Sequence, residues 1–124
     1  MEKALNYLNN TISHYMQGKH SADGVYSKCT LKYFFVSYAD KAYKAQFILD
    51  FLVPLKEDMG DSTKADVISY LDTKIEQFKV KRLTGKAISY NTNPMVNLTD
   101  MWEFECYAEL IKIYNSIKNF ISKE

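Results

Sequence analysis

Residues 31–52, LKYFFVSYADKAYKAQFILDFL, decide the fold that this sequence predicts. Apolar residues recur there at spacings of four and three without a break, which is typical of one face of an α-helix. We call this face the seam; it consists of Leu31, Phe35, Tyr38, Ala42, Ala45, Leu49 and Leu52. Because the rest of the chain must cover the seam, the stretch predicts a helical bundle.

A second apolar line runs along the same stretch, on the face opposite the seam. It contains Cys29, Tyr33, Val36, Tyr43, Phe47 and Phe51. A helix in a monomeric bundle needs only one apolar face, so this line is covered either by the rest of the chain or by a partner. We predict a self-association or partner surface here, made of Tyr33, Val36, Asp40, Tyr43, Phe47 and Phe51. Asp40 needs a partner or water among apolar neighbours, and we hypothesise that it fixes the register of that interface.

The same region permits a second interpretation. Val25 to Tyr38 is rich in β-branched and aromatic residues, which favour strands. Short strands near residues 25–36 and 87–91 would then give an α+β fold, and Asp40 would cap a shorter helix. We favour one long helix over residues 25–56, because the seam crosses Asp40 without losing phase.

Three other segments have helical periodicity. Residues 2–17 form the first, which Gly18 is placed to end. Residues 62–83 form the third, with Thr63-x-x-Asp66 as a capping box, a buried stripe and a stop at Gly85. The predicted stripe consists of Ala65, Ile68, Leu71, Ile75 and Phe78. Residues 100–122 form the fourth, which opens with the capping box Asp100-x-x-Glu103 and is anchored by Trp102.

These helices leave residues 86–98 as one long loop, and long loops are more often functional or mobile than short ones. The prediction is an all-α protein, an antiparallel four-helix bundle forming a single domain over residues 1–124. Its length of 124 residues suffices for one hydrophobic core without disulfides or metals.

Composition limits the partners of this protein. The formal net charge of +1 argues against binding nucleic acid with the whole surface. No apolar run approaches the roughly 20 residues of a membrane span, and the N-terminus is not a secretory signal. We therefore expect a cytoplasmic protein that does not act on membranes. Frequent Lys, Asn, Ile, Tyr and Phe have AT-rich codons, an association with low-GC bacteria, their phages or plasmids.

The residues that carry metal or catalytic chemistry are widely separated. His14, His20, Cys29 and Cys106 form none of the close pairs that announce a zinc site. We expect no metal, no cofactor and two free thiols. No spacing suggests a catalytic triad, so we expect a protein that is not an enzyme.

A basic run, Lys79, Lys81, Arg82 and Lys86, lies at the end of the third helix. One interpretation is a solvated helix end whose charges interact with the helix dipole. The other is a phosphate site for a nucleotide or nucleic acid, completed by Tyr90 and Asn91 of the 86–98 loop.

The sequence thus predicts a non-catalytic binding protein of the inhibitor, immunity or accessory type. We expect it to act through the aromatic line, as a homo-oligomer and with an unidentified protein partner. The alternative is a nucleotide- or nucleic-acid-binding protein that uses the basic run and the 86–98 loop.

Overall fold

A computed structural model describes the backbone of residues 1–26, 32–88 and 94–124, and the side chains of residues 1–20, 39–82 and 98–124. The described residues form four α-helices and no strand, which confirms the all-α prediction. The helices are α1 (Glu2–Tyr26), α2 (Lys32–Met59), α3 (Lys64–Ile88) and α4 (Pro94–Lys123). The strand alternative is wrong for residues 25–26, 32–36 and 87–88, which are helical; residues 27–31 and 89–91 lie outside the described residues.

The first helix is longer than predicted, because α1 continues past Gly18 to Tyr26. A glycine ends a helix when it adopts positive φ, and the described residues contain no positive-φ glycine. Gly18 stays in the helix on an open surface, where a side chain would meet nothing within 4 Å. The predicted end at residue 17 is therefore wrong.

The second helix covers much of the predicted range. α2 begins at Lys32 rather than residue 25 and ends at Met59 rather than residue 56, with Pro54 inside its last turns. From the seam, the structure buries Ala45, Leu49 and Leu52 in the core. Leu31 and the side chains of Phe35 and Tyr38 lie outside the described part.

The third helix begins where its capping box predicts. The backbone N–H of Asp66 donates to Thr63 Oγ1 at 3.2 Å, so Thr63 caps α3. Gly85 does not end this helix, which continues to Ile88. The predicted stripe is confirmed at Leu71, Ile75 and Phe78, which are buried; at its start, Val67 is buried and Ala65 is exposed.

The predicted loop over residues 86–98 is wrong. Because α3 ends at Ile88 and α4 begins at Pro94, at most residues 89–93 connect the two helices. Proline suits the first position of a helix, since it lacks the N–H that would be unsatisfied there. Asp100 consequently lies inside α4 and does not cap its start, whereas Trp102 is buried as predicted.

The helices pack most closely in two pairs, α1 with α2 and α3 with α4, and α4 also contacts α1 and α2. The core between the helices is apolar. Several of its side chains are 0% exposed, among them Leu8, Leu52, Leu71, Leu110 and Ile117. α4 contributes most to this core because it has neighbours on three sides. In contrast, α3 packs mainly on α4, and its buried stripe is narrow.

Candidate functional site

The aromatic line of α2 packs partly against the chain itself. Ring centroids lie 5.4 Å apart for Tyr43 and Trp102, and 5.3 Å apart for Phe47 and Tyr107. Phe51 lies 5.2 Å from Phe78 of α3, edge to face. Tilted and edge-to-face rings add stabilisation beyond buried area. Much of the second apolar line on α2 is therefore explained by contacts with α4 and α3.

Tyr43, Phe47 and Phe51 remain only half-buried despite these contacts. α2 and α3 follow one another in the chain, but the described parts of these helices make at most marginal backbone contact. The described parts of the helices therefore cover the ring line only in part. The side chains of Tyr33 and Val36, which the sequence assigned to the same surface, lie outside the described residues. Contact of this line with a partner stays a prediction.

Asp40 has charged neighbours within the chain. Its Oδ1 atom lies 3.0 Å from Lys44 Nζ, and Lys44 also pairs with Glu105 of α4. The Asp40 Oδ1 atom is shielded from solvent, and its contact with Lys44 is an ion pair. Burial acts to lower the pKa of Lys44, but its interactions with the carboxylates of Glu105 and Asp40 outweigh burial and raise it. Asp40 therefore has a charged partner within the chain, and its role in register stays a prediction.

Tyr43 is tied to α4 by its hydroxyl as well as by its ring. The hydroxyl donates to Glu103 Oε1 at 2.7 Å. Burial and, secondarily, this hydrogen bond to a carboxylate raise the pKa of Tyr43 to about 12. The bond holds the tyrosine in one orientation at the open edge of the ring line.

The basic run does not form one patch. The Lys79 Nζ atom lies 3.2 Å from Glu76 Oε1. Arg82 turns inward, and its guanidinium carbon lies 4.8 Å from the centroid of the Phe104 ring. Lys81 is exposed, and residues two apart on a helix point in different directions. The Arg82 Nε atom is buried and has no hydrogen-bond partner among the described residues. The side chain of Lys86, and all of Tyr90 and Asn91, lie outside the described residues.

Cys106 is a buried free thiol, as predicted for it. Desolvation by burial is the main cause that raises its pKa to about 12. Its thiol donates weakly to the carbonyl oxygen of Lys44, at 3.8 Å. Cys29 lies outside the described residues. Within the described ranges, no group of three His, Cys, Asp or Glu side chains is arranged to hold a metal ion, and no helix there is long and apolar enough to cross a membrane.

Two surface grooves were not predicted from the sequence. One, of about 530 Å³, lies between α1 and α2 and is bordered by Met16, His20 and Asp50 among others. The other, of about 350 Å³, lies at the turn from α2 to α3. The buried side chains of Leu55, Met59 and Val67 line it, together with carboxylates and Tyr70. The carboxylates belong to Asp58, Asp61 and Asp66. The sequence contains one signal of this second groove, because acidic residues are concentrated around the start of the third helix.

Comparison with known proteins found no matching protein family, no matching curated protein and no matching solved structure.

Proposed function

We propose that this chain is a small, non-catalytic binding protein of the inhibitor, immunity or accessory type. It acts as a homo-oligomer and contacts its protein partner through the aromatic edge of α2. The observation that carries the proposal is that Tyr43, Phe47 and Phe51 stay half-buried although their rings contact α4 and, at Phe78, α3. Large aromatic side chains with an open edge are the residues that dominate binding energy at protein interfaces.

The proposed bundle is antiparallel, as the order of contacts along the helices supports. Along α3 and α4 the order is opposite: Arg82 contacts Phe104, whereas Asp72 pairs with Lys118. Along α1 and α4 it is also opposite, because the Met1 amino group pairs with Glu124. In this arrangement the open ring line runs along one long side of the bundle, where a partner helix has room to lie.

Sedimentation equilibrium of wild type and Phe47→Asp tests the proposal. We expect association that survives high salt, because burial of rings drives it, and that weakens at least about tenfold in Phe47→Asp. The matched control is Gln17→Asp, which introduces the same charge at an exposed position of α1. Phe47→Leu keeps the side chain apolar and guards against a folding defect. A wild type that stays monomeric, or equal weakening in both Asp variants, contradicts the proposal.

A second candidate function, nucleotide or nucleic-acid binding, is favoured by one observation. Arg82 places a buried Nε donor, with no hydrogen-bond partner in the described part of the chain, beside an aromatic ring and next to the exposed Lys81. Arginine and a ring together suit a phosphate and a base. ATP or a short oligonucleotide should raise the melting temperature at low salt, and the double change Lys81→Ala with Arg82→Ala should abolish the rise. The double change Lys112→Ala with Lys123→Ala, at exposed positions of α4, serves as the control.

A further inference from the structure

The face of α3 that points away from α4 is open along its described length. The exposed residues include Asp66, Ser69, Tyr70, Thr73, Gln77, Val80 and Lys81. Two of them are large apolar side chains, since Tyr70 is 40% and Val80 is 60% exposed. Ser69, just before Tyr70, and Thr73, between Tyr70 and Val80, are small side chains that allow another helix to approach closely. We call these seven residues the outer face.

Charge changes sign between the α2–α3 turn with the first half of α3 and the last half of α3. Residues 77–88 carry four basic side chains and no acidic one, whereas residues 58–76 carry five acidic side chains and two basic ones. The acidic end contains the groove of about 350 Å³ at the α2–α3 turn, which Asp66 and Tyr70 border. The outer face therefore joins an acidic groove at one end to a basic side chain, Lys81, at the other.

A helix of this kind is complementary to an antiparallel copy of itself. If a two-fold axis crosses α3 near residue 75, Tyr70 comes level with Val80 of the second copy, and Ser69 with Lys81. Asp66 is then about 4.5 Å along the axis from the level of Lys81, since each residue rises about 1.5 Å. A lysine side chain spans that offset. The two-fold axis repeats every such contact, as in other isologous interfaces.

We infer that the outer face of α3 binds the outer face of a second copy in antiparallel orientation, with Lys81 of each copy over the acidic groove of the other. Tyr70 and Val80 supply the apolar contact, and the charges fix direction, because a parallel pair would bring like ends together. This surface is separate from the aromatic edge of α2, so it is a second contact between copies in addition to the one proposed for that edge.

Two single charge reversals and their mixture test this inference by sedimentation equilibrium. In a pair of Asp66→Lys chains, both groove contacts join two positive charges; in a pair of Lys81→Glu chains, both join two negative charges. Each variant alone should dimerise at least about tenfold more weakly than wild type, since facing like charges are costly. An equimolar mixture should recover dimers within about threefold of wild-type affinity, because every contact in the mixed dimer is complementary. The part of wild-type association that depends on α3 should weaken with salt, whereas the part that depends on Phe47 should survive it.

The matched control is Lys79→Glu, which makes the same charge change two residues from Lys81. Lys79 lies outside the outer face, beside Glu76. This variant should dimerise as wild type does, and thermal melts verify that every variant is folded. The inference is overturned if wild type stays monomeric at millimolar concentration, if Lys79→Glu weakens association as much as Lys81→Glu, or if the mixture fails to recover. Loss of association in Phe47→Asp, with none in the α3 variants, assigns self-association to α2 and also rejects it.

Discussion

α4 and α3 are helices of similar length that have opposite roles in the bundle. α4 contacts three helices and buries residues on a broad face, including Leu110 and Tyr114, each 0% exposed. α3 rests on α4 along a narrow stripe and leaves most of its circumference open. The comparison shows that burial is divided unequally between helices. The central helix holds the fold, and the peripheral helix carries the face that we propose for binding a second copy.

The largest expected difference in the free energy of unfolding is between truncating a buried aliphatic residue of α4 and truncating an exposed one of α3. Leu110→Ala in α4 should lower the free energy of unfolding by about 2–5 kcal/mol, because it removes contacts and leaves a cavity. Val80→Ala in α3 should change it by less than about 0.5 kcal/mol. Urea denaturation of dilute, monomeric protein measures both values. Similar losses in the two variants would remove the distinction between the helices.

Cysteine reactivity should differ strongly between the same two helices. Cys106 is buried and its pKa is raised to about 12 by burial, so its reactive thiolate is scarce at neutral pH. In a Cys29→Ser background, labelling of native Cys106 should be at least about tenfold slower than labelling of the unfolded chain. A tenfold ratio corresponds to a free energy of opening of roughly 1.4 kcal/mol. Thr73→Cys on the outer face of α3, in a chain that also carries Cys106→Ser, should label at nearly the unfolded rate when the protein is dilute and monomeric. Fast labelling of Cys106 would show that α4 opens readily.

Removing one hydroxyl group in α4 should raise the free energy of unfolding rather than lower it. The Tyr114 hydroxyl is buried without a hydrogen-bond partner, so Tyr114→Phe should stabilise the protein by about 1 kcal/mol. Tyr70→Phe in α3 makes the same change at an exposed position and should be nearly neutral. Tyr43→Phe loses the bond to Glu103 and should cost about 1 kcal/mol. These three values come from thermal or urea unfolding, and a destabilised Tyr114→Phe would mean that its hydroxyl has a partner.

The smallest expected effect is a pH dependence at the end of α4. Glu124 forms an ion pair with the Met1 amino group. The hydrogen bond between these two groups lowers the pKa of Glu124. A carboxyl group with a lowered folded-state pKa adds stability above its unfolded pKa and loses it as pH falls through the folded value. Glu124→Gln should therefore melt below wild type at neutral pH and together with it in strong acid. Glu76→Gln, in an exposed pair of α3, should show a smaller difference at neutral pH, and equal differences would contradict the contrast.

Much of the fold could be predicted from the sequence, because apolar periodicity reports which elements are helical. The seam of α2 and the cap at Thr63 depend on residues close together in the chain. Helix ends were predicted less well. Gly18 and Gly85 have the residue type of a helix end, but only the conformation they adopt ends a helix. Asp100 has the type of a cap but lies inside α4, which Pro94 begins.

The surfaces were predicted less well than the fold. Two apolar lines on α2 suggested a partner, yet α4 and α3 contact much of the second line through Trp102, Tyr107 and Phe78. The basic run is contiguous in sequence, but the helix turn sends Lys81 outward and Arg82 onto Phe104. Periodicity gives the direction in which a side chain points from the axis of its helix. It does not say which other helix lies in that direction.

The sequence by itself therefore determined that this protein is helical, which residues line each helix face and how charge is distributed along α3. Only the tertiary structure decided that α4 is central, that α3 is peripheral, and that the acidic start of α3 borders a groove. The physical reason is one of range. Helix formation and capping depend on neighbours a few residues apart, whereas coverage of a face depends on contacts between residues such as Tyr43 and Glu103, which are 60 positions apart.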